Sequence, residues 1–445
     1  MVRSLLRIAL PAAFTAFAGI AGAQDLMQVY QDALKYDAQY AAARHALSAG
    51  REKLPQGQAL LLPNVNLSGN VTGTTIDSEP RNAPPPAPFN RDFNAYGYTI
   101  ALSQPIYRPQ NRLQATQAEF LVKQAEAVFG QAGQDLILRV AQAYFDILAS
   151  HDTLTLVGAQ KAAISEQLAQ AKRNFEVGTA TITDTHEAQA RYDLVVAQEI
   201  AAQNDLETKR RALQQLTGKE YTALKPLRAD VKLAPPNPAG MQNWADLAEK
   251  QSFPVQIQEA GTEIAQLEAR RSTAAHQPTV DFVASYGYTS QTGSSIAASG
   301  TNVSSGTIGV QLGVPLYQGG ALSSREREAA ALYEKSRQDL ENARRASVLG
   351  SRQAYLAVIN GIAQVGALNQ ALVSSQSALE SNRLGYEVGV RINIDVLNAQ
   401  QQLFSTRRDL AIARYNTITN HLRLKAAAGS LREDDLREVN AALAQ

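Results

Sequence analysis

Few residues in this chain have the types and spacing to do chemistry. The five histidines, His45, His151, His186, His276 and His421, are scattered without metal-ligand spacing and read as helix-face or surface positions. No nucleophile elbow, Walker loop or dinucleotide-binding glycine pattern occurs, and Gly319-Gly320 reads as a strand-to-helix turn rather than a phosphate loop. The sequence has no Cys, which excludes disulfides, thiolate metal sites, Fe–S clusters, thiol catalysis and a Cys-linked lipid anchor. These residues argue for no enzyme, no cofactor and no metal. What stands out is a pair of carboxylates, Asp184 and Asp395, each ending a matching motif: NFEVGTATITD and GYEVGVRINID. Their chemistry is electrostatic. Each can cap a helix or, where symmetry gathers copies at one axis, contribute to a charged ring; the two roles can coexist.

The elements that position them are repeated. LSQPIYRPQNRLQA from Leu102 resembles LGVPLYQGGALSS from Leu312, with Tyr107 matching Tyr317. Ala143-Tyr144 recurs as Ala354-Tyr355, Gln189 as Gln400 and Gly218 as Gly429, so the chain is two copies of one unit joined near Pro226–Pro238. No proline lies between Pro109 and Pro226, or after Pro315. Because proline in a helix interior costs roughly 3 kcal/mol, these Ala-, Gln-, Leu-, Glu- and Arg-rich stretches permit very long helices. The first unit, 24–225, predicts a helix, a β-hairpin over about 63–105, a long helix over about 109–174 and a return helix over about 184–217. The second, 242–429, predicts a helix, a hairpin over about 278–315, a long helix over about 320–385 and a return helix over about 394–428. A linker, 226–241, joins the units, and 430–445 forms a C-terminal segment. Each long helix spans about 98 Å at 1.5 Å per residue, a rod that an isolated monomer cannot bury and that calls for coiled-coil packing. Glu187, three residues after Asp184, suggests a capping box opening the first return helix, with Asn393 and Asp395 at the matching place.

The hairpins alternate with period two. Val65, Leu67, Gly69 and Val71 oppose Asn64, Asn66, Ser68, Asn70 and Thr72; Tyr96, Tyr98, Ile100 and Leu102 oppose Gly97, Thr99, Ala101 and Ser103. Val280, Phe282, Ala284, Tyr286 and Tyr288 form the apolar face of the third strand, and Ile308, Val310, Leu312 and Val314 that of the fourth. Strands of about 10–12 residues tilted by about 40° match the apolar band of an outer membrane. Four strands cannot close a barrel, and an open edge in lipid leaves backbone groups unpaired, so the chain must oligomerise.

Arg3 and Arg7, the apolar run Ile8–Ile20 and the small residues Ala21-Gly22-Ala23 read as a secretory signal over residues 1–23. Lys and Arg total 42 against 41 Asp and Glu; removing Arg3 and Arg7 turns +1 into −1, which gives no footprint for nucleic acid. A Cys-free exported chain fits a Gram-negative envelope protein.

Over essentially its whole exported length the chain resembles the TolC family of outer-membrane channel-tunnels. The motifs are DLMQVYQDALKYD, LLLPNVNLSG, LSQPIY, GVPLYQGG, YEVGVRINIDVLNAQQ and GSLREDDLREVNAAL. The resemblance implies an α+β fold in which a homotrimer combines a 12-stranded barrel in outer-membrane lipid with a long helical coiled-coil barrel through the periplasm. It implies an exit duct for efflux or type I secretion, docked at its tips by an inner-membrane pump and a periplasmic adaptor. By motif, Tyr386 would link to Asp184 and Arg391 to Thr183 as the gate. Asp395 would line the pore constriction, and Val177, Gly178, Thr179, Val388, Gly389 and Val390 would form the docking tips. Two departures matter: the second constriction carboxylate falls on Asn398, and Thr179 stands where Leu often follows Val-Gly. The alternative from another class is a periplasmic coiled-coil adaptor or structural envelope protein carrying a small soluble β-domain.

Overall fold

The computed structural model describes residues 23–79, 89–228, 231, 233–295 and 297–444. The expected signal, apart from Ala23, and the cluster Pro80–Pro88 lie outside the described residues.

Helices α1 (Leu26–Tyr36), α2 (Ala38–Arg51) and α3 (Lys53–Ala59) lead into strands β1 (Asn64–Ser78) and β2 (Phe89–Tyr107). Two long antiparallel helices follow, α4 (Pro109–Glu176) and α5 (Ile182–Thr217). The second unit repeats this with α6 (Met241–Gln251), α7 (Phe253–Ala274), β3 (Thr279–Gln291), β4 (Thr301–Gly313), α8 (Ala321–Glu387) and α9 (Asn393–Ala427), and α10 (Glu433–Ala441) closes the chain. The single leading helix expected in each unit is broken into three and two. Asp37 ends α1 in an extended conformation and starts α2, while Ser252 does the same between α6 and α7, with Pro254 at the start of α7.

The long helices run as expected. Pro109 sits in the first turn of α4, where its missing N–H costs nothing, and 68 residues without another proline extend about 102 Å. Both return helices end on glycine in the left-handed region, Gly218 at φ 70° and Gly429 at φ 73°. A Cβ at Gly218 would strike the Tyr36 ring, and one at Gly429 would strike the Gln251 backbone. Gly429→Ala therefore combines backbone strain with a steric clash. Its expected cost is about 2–4 kcal/mol, to be read as a lower unfolding temperature in far-UV circular dichroism.

The four strands form one antiparallel sheet in the order β1-β2-β3-β4. Its register places Val65, Leu102, Ala284 and Ile308 in one row, and Leu67, Ile100, Tyr286 and Gly306 in the next. The alternations read separately from each strand thus add up to one apolar face, and it is exposed: Leu67 at 72% and Ile308 at 78%. The other face carries Asn66, Ala101, Ser285 and Thr307. The strands are longer than expected, 13–19 residues rather than 10–12. The ladder continues past the alternating stretch through polar pairs such as Thr75 and Asp92, whose side chains bond at 2.7 Å. A register shift between Pro105 and Tyr107 lets β2 accommodate a proline and brings Tyr107 opposite Val280, onto the apolar face.

The main core lies midway along the helices. Fully buried Tyr144 donates to the carbonyls of Gln24 and Lys225 at 3.1 and 2.9 Å, and Phe145 stacks on Tyr415. Those carbonyls belong to the N-terminal segment and the linker region, which pair through Lys225 N–H on Gln24; Ala444 N–H in turn reaches Pro226. The linker is thus a structural belt rather than a tether. Beside it, Asp37 accepts from Tyr40 N–H at 2.6 Å and takes both terminal nitrogens of Arg139 at 2.8 and 3.0 Å. The Arg139 bonds hold the Asp37 carboxyl below its ordinary value, against the opposing pull of burial. A depressed carboxylate stabilises the fold above its unfolded value near pH 4, and this contribution is lost as pH falls through the lower folded value. Asp37→Ala removes a cap and strands a guanidinium. It should cost about 2–3 kcal/mol at neutral pH, with the gap to wild type narrowing below about pH 4 in denaturant titrations.

Helix α4 buries 17 residues within the chain and α8 only four. An 18-residue window of α8 is apolar enough to cross a membrane by composition, yet only 11% of it is buried. It belongs to a 67-residue helix packed along α9, and its apolar window is left exposed on the single chain.

Candidate functional site

The two carboxylates sit at the tips of the helical hairpins, and the turns that place them are nearly identical. Val177 and Val388 cap the long helices, and Gly178 and Gly389 take φ 77° and 79°. The next N–H groups return to the last turn, Thr179 to Asn174 and Val390 to Gly385, both at 2.8 Å. Val177, Val388 and Val390 are 67–76% exposed, which leaves an apolar knob on each tip.

The carboxylates themselves diverge. Asp184 is the third residue of α5, not its cap. Thr181 is the N-cap, and the capping box runs between Thr181 and Asp184 rather than between Asp184 and Glu187. Asp184 accepts from Thr181 N–H at 2.9 Å and from its hydroxyl at 2.8 Å. In the second unit Ile392 replaces Thr181, no side-chain cap forms, and Asp395 is released from that role. Its nearest charge is Arg391, one turn earlier, at 3.7 Å.

The expected links are not the ones a single chain forms. Tyr386 accepts from the Asn174 amide at 3.2 Å, because the capping box already holds Asp184. Arg391 turns to Asp395 on its own helix rather than to Thr183, with its stem over Gly385, where a Cβ would collide with it. Asn398 accepts from Arg191 of α5 at 2.9 Å, and the same guanidinium reaches Gln401 at 2.6 Å. Asn398 therefore marks a place where a cation from the first unit meets the second.

Three groups escaped the sequence reading: Asn174, Gln167 and Arg191. Gln160, Gln167 and Asn174 lie seven residues apart on α4, a heptad of amides in an otherwise apolar seam, and that spacing is the signal that would have found two of them. Gln167 donates to the Asn393 carbonyl oxygen, and both are buried. The other Asn393 amide atom, and the Gln400 oxygen, have no partner. Around them Ile164, Leu168, Ala171, Ala188, Val195 and Leu397 pack α4, α5 and α9 together. Among the described residues no cluster of His, Cys, Asp or Glu is arranged to hold a metal.

An exposed apolar sheet, continued by helical hairpins about 100 Å long that end in Val-Gly turns, defines the subunit of an outer-membrane channel-tunnel. The chain belongs to the outer membrane efflux protein family, whose model matches residues 29–219 and 244–430. It is 33% identical to the outer membrane protein TolC of Vibrio cholerae over 99% of both chains. It is also 31% identical to the proteases secretion protein PrtF of Dickeya chrysanthemi, over 95% of this chain and 92% of that one. The crystal structure of VceC from Vibrio cholerae superposes with a TM-score of 0.77 at 18% identity, covering 91% of this chain and 96% of that one. The protein is an outer-membrane exit duct whose helices extend into the periplasm.

Proposed function

We propose that three copies close into a passive conduit from an inner-membrane pump to the outside, serving efflux or type I secretion. The observation that carries this is the sheet. Its apolar face is exposed, and β1 and β4 are free edges that lipid cannot satisfy. Three four-stranded sheets closed edge to edge make a barrel of twelve, and the under-packed α8 then meets a neighbouring chain. A soluble periplasmic adaptor would explain the hairpins but not a membrane-facing sheet.

The tips gather around the threefold axis and form the gate. Asp395 and Asn398 line the constriction. Tyr386, which accepts from Asn174, still has its own phenolic proton to donate, so Asp184 of the same ring remains a partner on opening or closing. Arg391 and Thr183 complete the link set. The exposed Val177-Gly178-Thr179 and Val388-Gly389-Val390 tips dock the periplasmic adaptor and pump. Untwisting of these helices opens the pore, with energy supplied by the pump.

Protein extracted from outer membranes and recorded in a planar bilayer should give small, discrete current steps from a trimeric sample. Well-folded protein that gives no channels, even with Tyr386→Phe, would sink the conduit reading.

A further inference from the structure

We propose that the sheet–helix junction holds the phosphate headgroup of an anionic glycerophospholipid from the periplasmic leaflet, a site that rests on the outer-membrane reading. A cavity of about 720 Å³ opens where β2 passes into α4, bounded by Leu61 and the C-terminal end of α7. Its lining includes Arg108, Arg112 and Arg270 and no carboxylate. Arg108 is already committed to Asp281, with bonds of 2.8 and 2.6 Å. Arg112 and Arg270 have no ion-pair partner among the described residues, so the cavity presents two uncompensated guanidinium groups. Their forked donors match the oxygens of a phosphodiester.

The surroundings say which phosphate. Leu61, Ile106 and Tyr107 are 39%, 57% and 45% exposed at the cavity rim. The register shift in β2 brings Tyr107 onto the apolar face, where its hydroxyl donates to Gln277 at 3.2 Å. The cavity therefore lies at the foot of the lipid-facing surface, at the level where aromatic side chains and headgroups meet. Acyl chains leaving it would run along Leu102, Ile100 and their neighbours. Closure of the sheet into a barrel leaves the strand beside this cavity inside its own subunit. In the sheet order, β2 and β3 are the inner pair, and β1 and β4 carry the free edges. A free inorganic anion would satisfy the arginines but not the apolar rim.

The test uses the full trimer, reconstituted in nanodiscs of phosphatidylcholine containing a minor fraction of phosphatidylglycerol, with retained lipid counted by native mass spectrometry. Wild type should enrich phosphatidylglycerol. Arg112→Gln/Arg270→Gln should lose that enrichment by about tenfold, and Arg112→Lys/Arg270→Lys should keep most of it. Should the glutamine pair fail to assemble, the single Arg270→Gln variant, altered at an exposed position, should still show a partial loss. Equal retention by wild type and an assembled glutamine variant, or displacement of the lipid by millimolar inorganic phosphate, overturns the proposal. Insertion into the discs without headgroup preference overturns it while leaving the membrane assignment standing, whereas failure to insert at all overturns both.

Discussion

Single channels of this protein are expected to show no cation preference; Asn398→Asp is expected to shift them toward cations, and Asn398→Asp/Arg191→Gln to make them cation-selective. Three copies of Asp395 alone would favour cations, with the ring at half strength because Asn398 replaces the second carboxylate. The structure adds the cations. Arg391 lies 3.7 Å from Asp395, and Arg191 donates to Asn398 at 2.9 Å. With Asp395 and Asn398 at the proposed throat, each chain brings two guanidinium groups and one carboxylate there, a net +1. At separations of about 8 Å in water, one charge is worth about 0.5 kcal/mol, and three copies about 1.5, or about tenfold in ion partition. Cation partition then rises and anion partition falls by about tenfold each, so Asn398→Asp should raise the cation-to-anion permeability ratio by about 100-fold. Asn398→Asp/Arg191→Gln should raise it again by a similar factor. Reversal potentials in a salt gradient measure both steps. A wild-type channel with strong cation preference, unmoved by Arg191→Gln, would remove Arg191 from the throat.

Much of this architecture was legible because its causes are local. Proline spacing set the long helices, the fixed offset between Tyr144 and Tyr355 or Gly218 and Gly429 set the duplication, and alternation in four separate strands set one apolar face. The tip was legible only in part. Turn geometry follows from Val-Gly motifs, but partner choice depends on which helix faces which. Asp184 looked like a gate residue or a cap, and Thr181, three residues earlier, settled its single-chain geometry in favour of the cap. The matching position in the second unit is Ile392, so an identical carboxylate was left free. Arg191 sits on an exposed helix face and resembled any solvated cation until α5 and α9 were brought side by side. The strand lengths were underestimated because polar pairing beyond the membrane band carries no alternation.

The largest gating effect is expected from Gln167→Leu, and the double variant Gln167→Leu/Asn393→Leu should reverse it. Gln167 and Asn393 are buried together between α4 and α9, and one atom of the Asn393 amide is already without a partner. Removing Gln167 leaves the whole Asn393 amide desolvated. The cost is about 1 kcal/mol or more in every chain, incurred only while the helices stay packed. If the three tips open together, about 3 kcal/mol accumulates, which shifts the open-to-closed ratio by about 100-fold. Replacing both amides with leucine removes both desolvation penalties, so the closed seam should regain or exceed wild-type stability. Tyr386→Phe, which removes the hydroxyl that accepts from Asn174, should act in the opening direction more mildly. Asp184→Asn, which preserves an acceptor for Thr181, should leave the current unchanged. Open probability in bilayer recordings separates these outcomes. An increase for Asp184→Asn as large as that for Tyr386→Phe would show that the Tyr386–Asp184 link depends on the carboxylate charge. An equal increase for the single and double leucine variants would show that loss of shape, rather than an unpaired amide, loosens the tip.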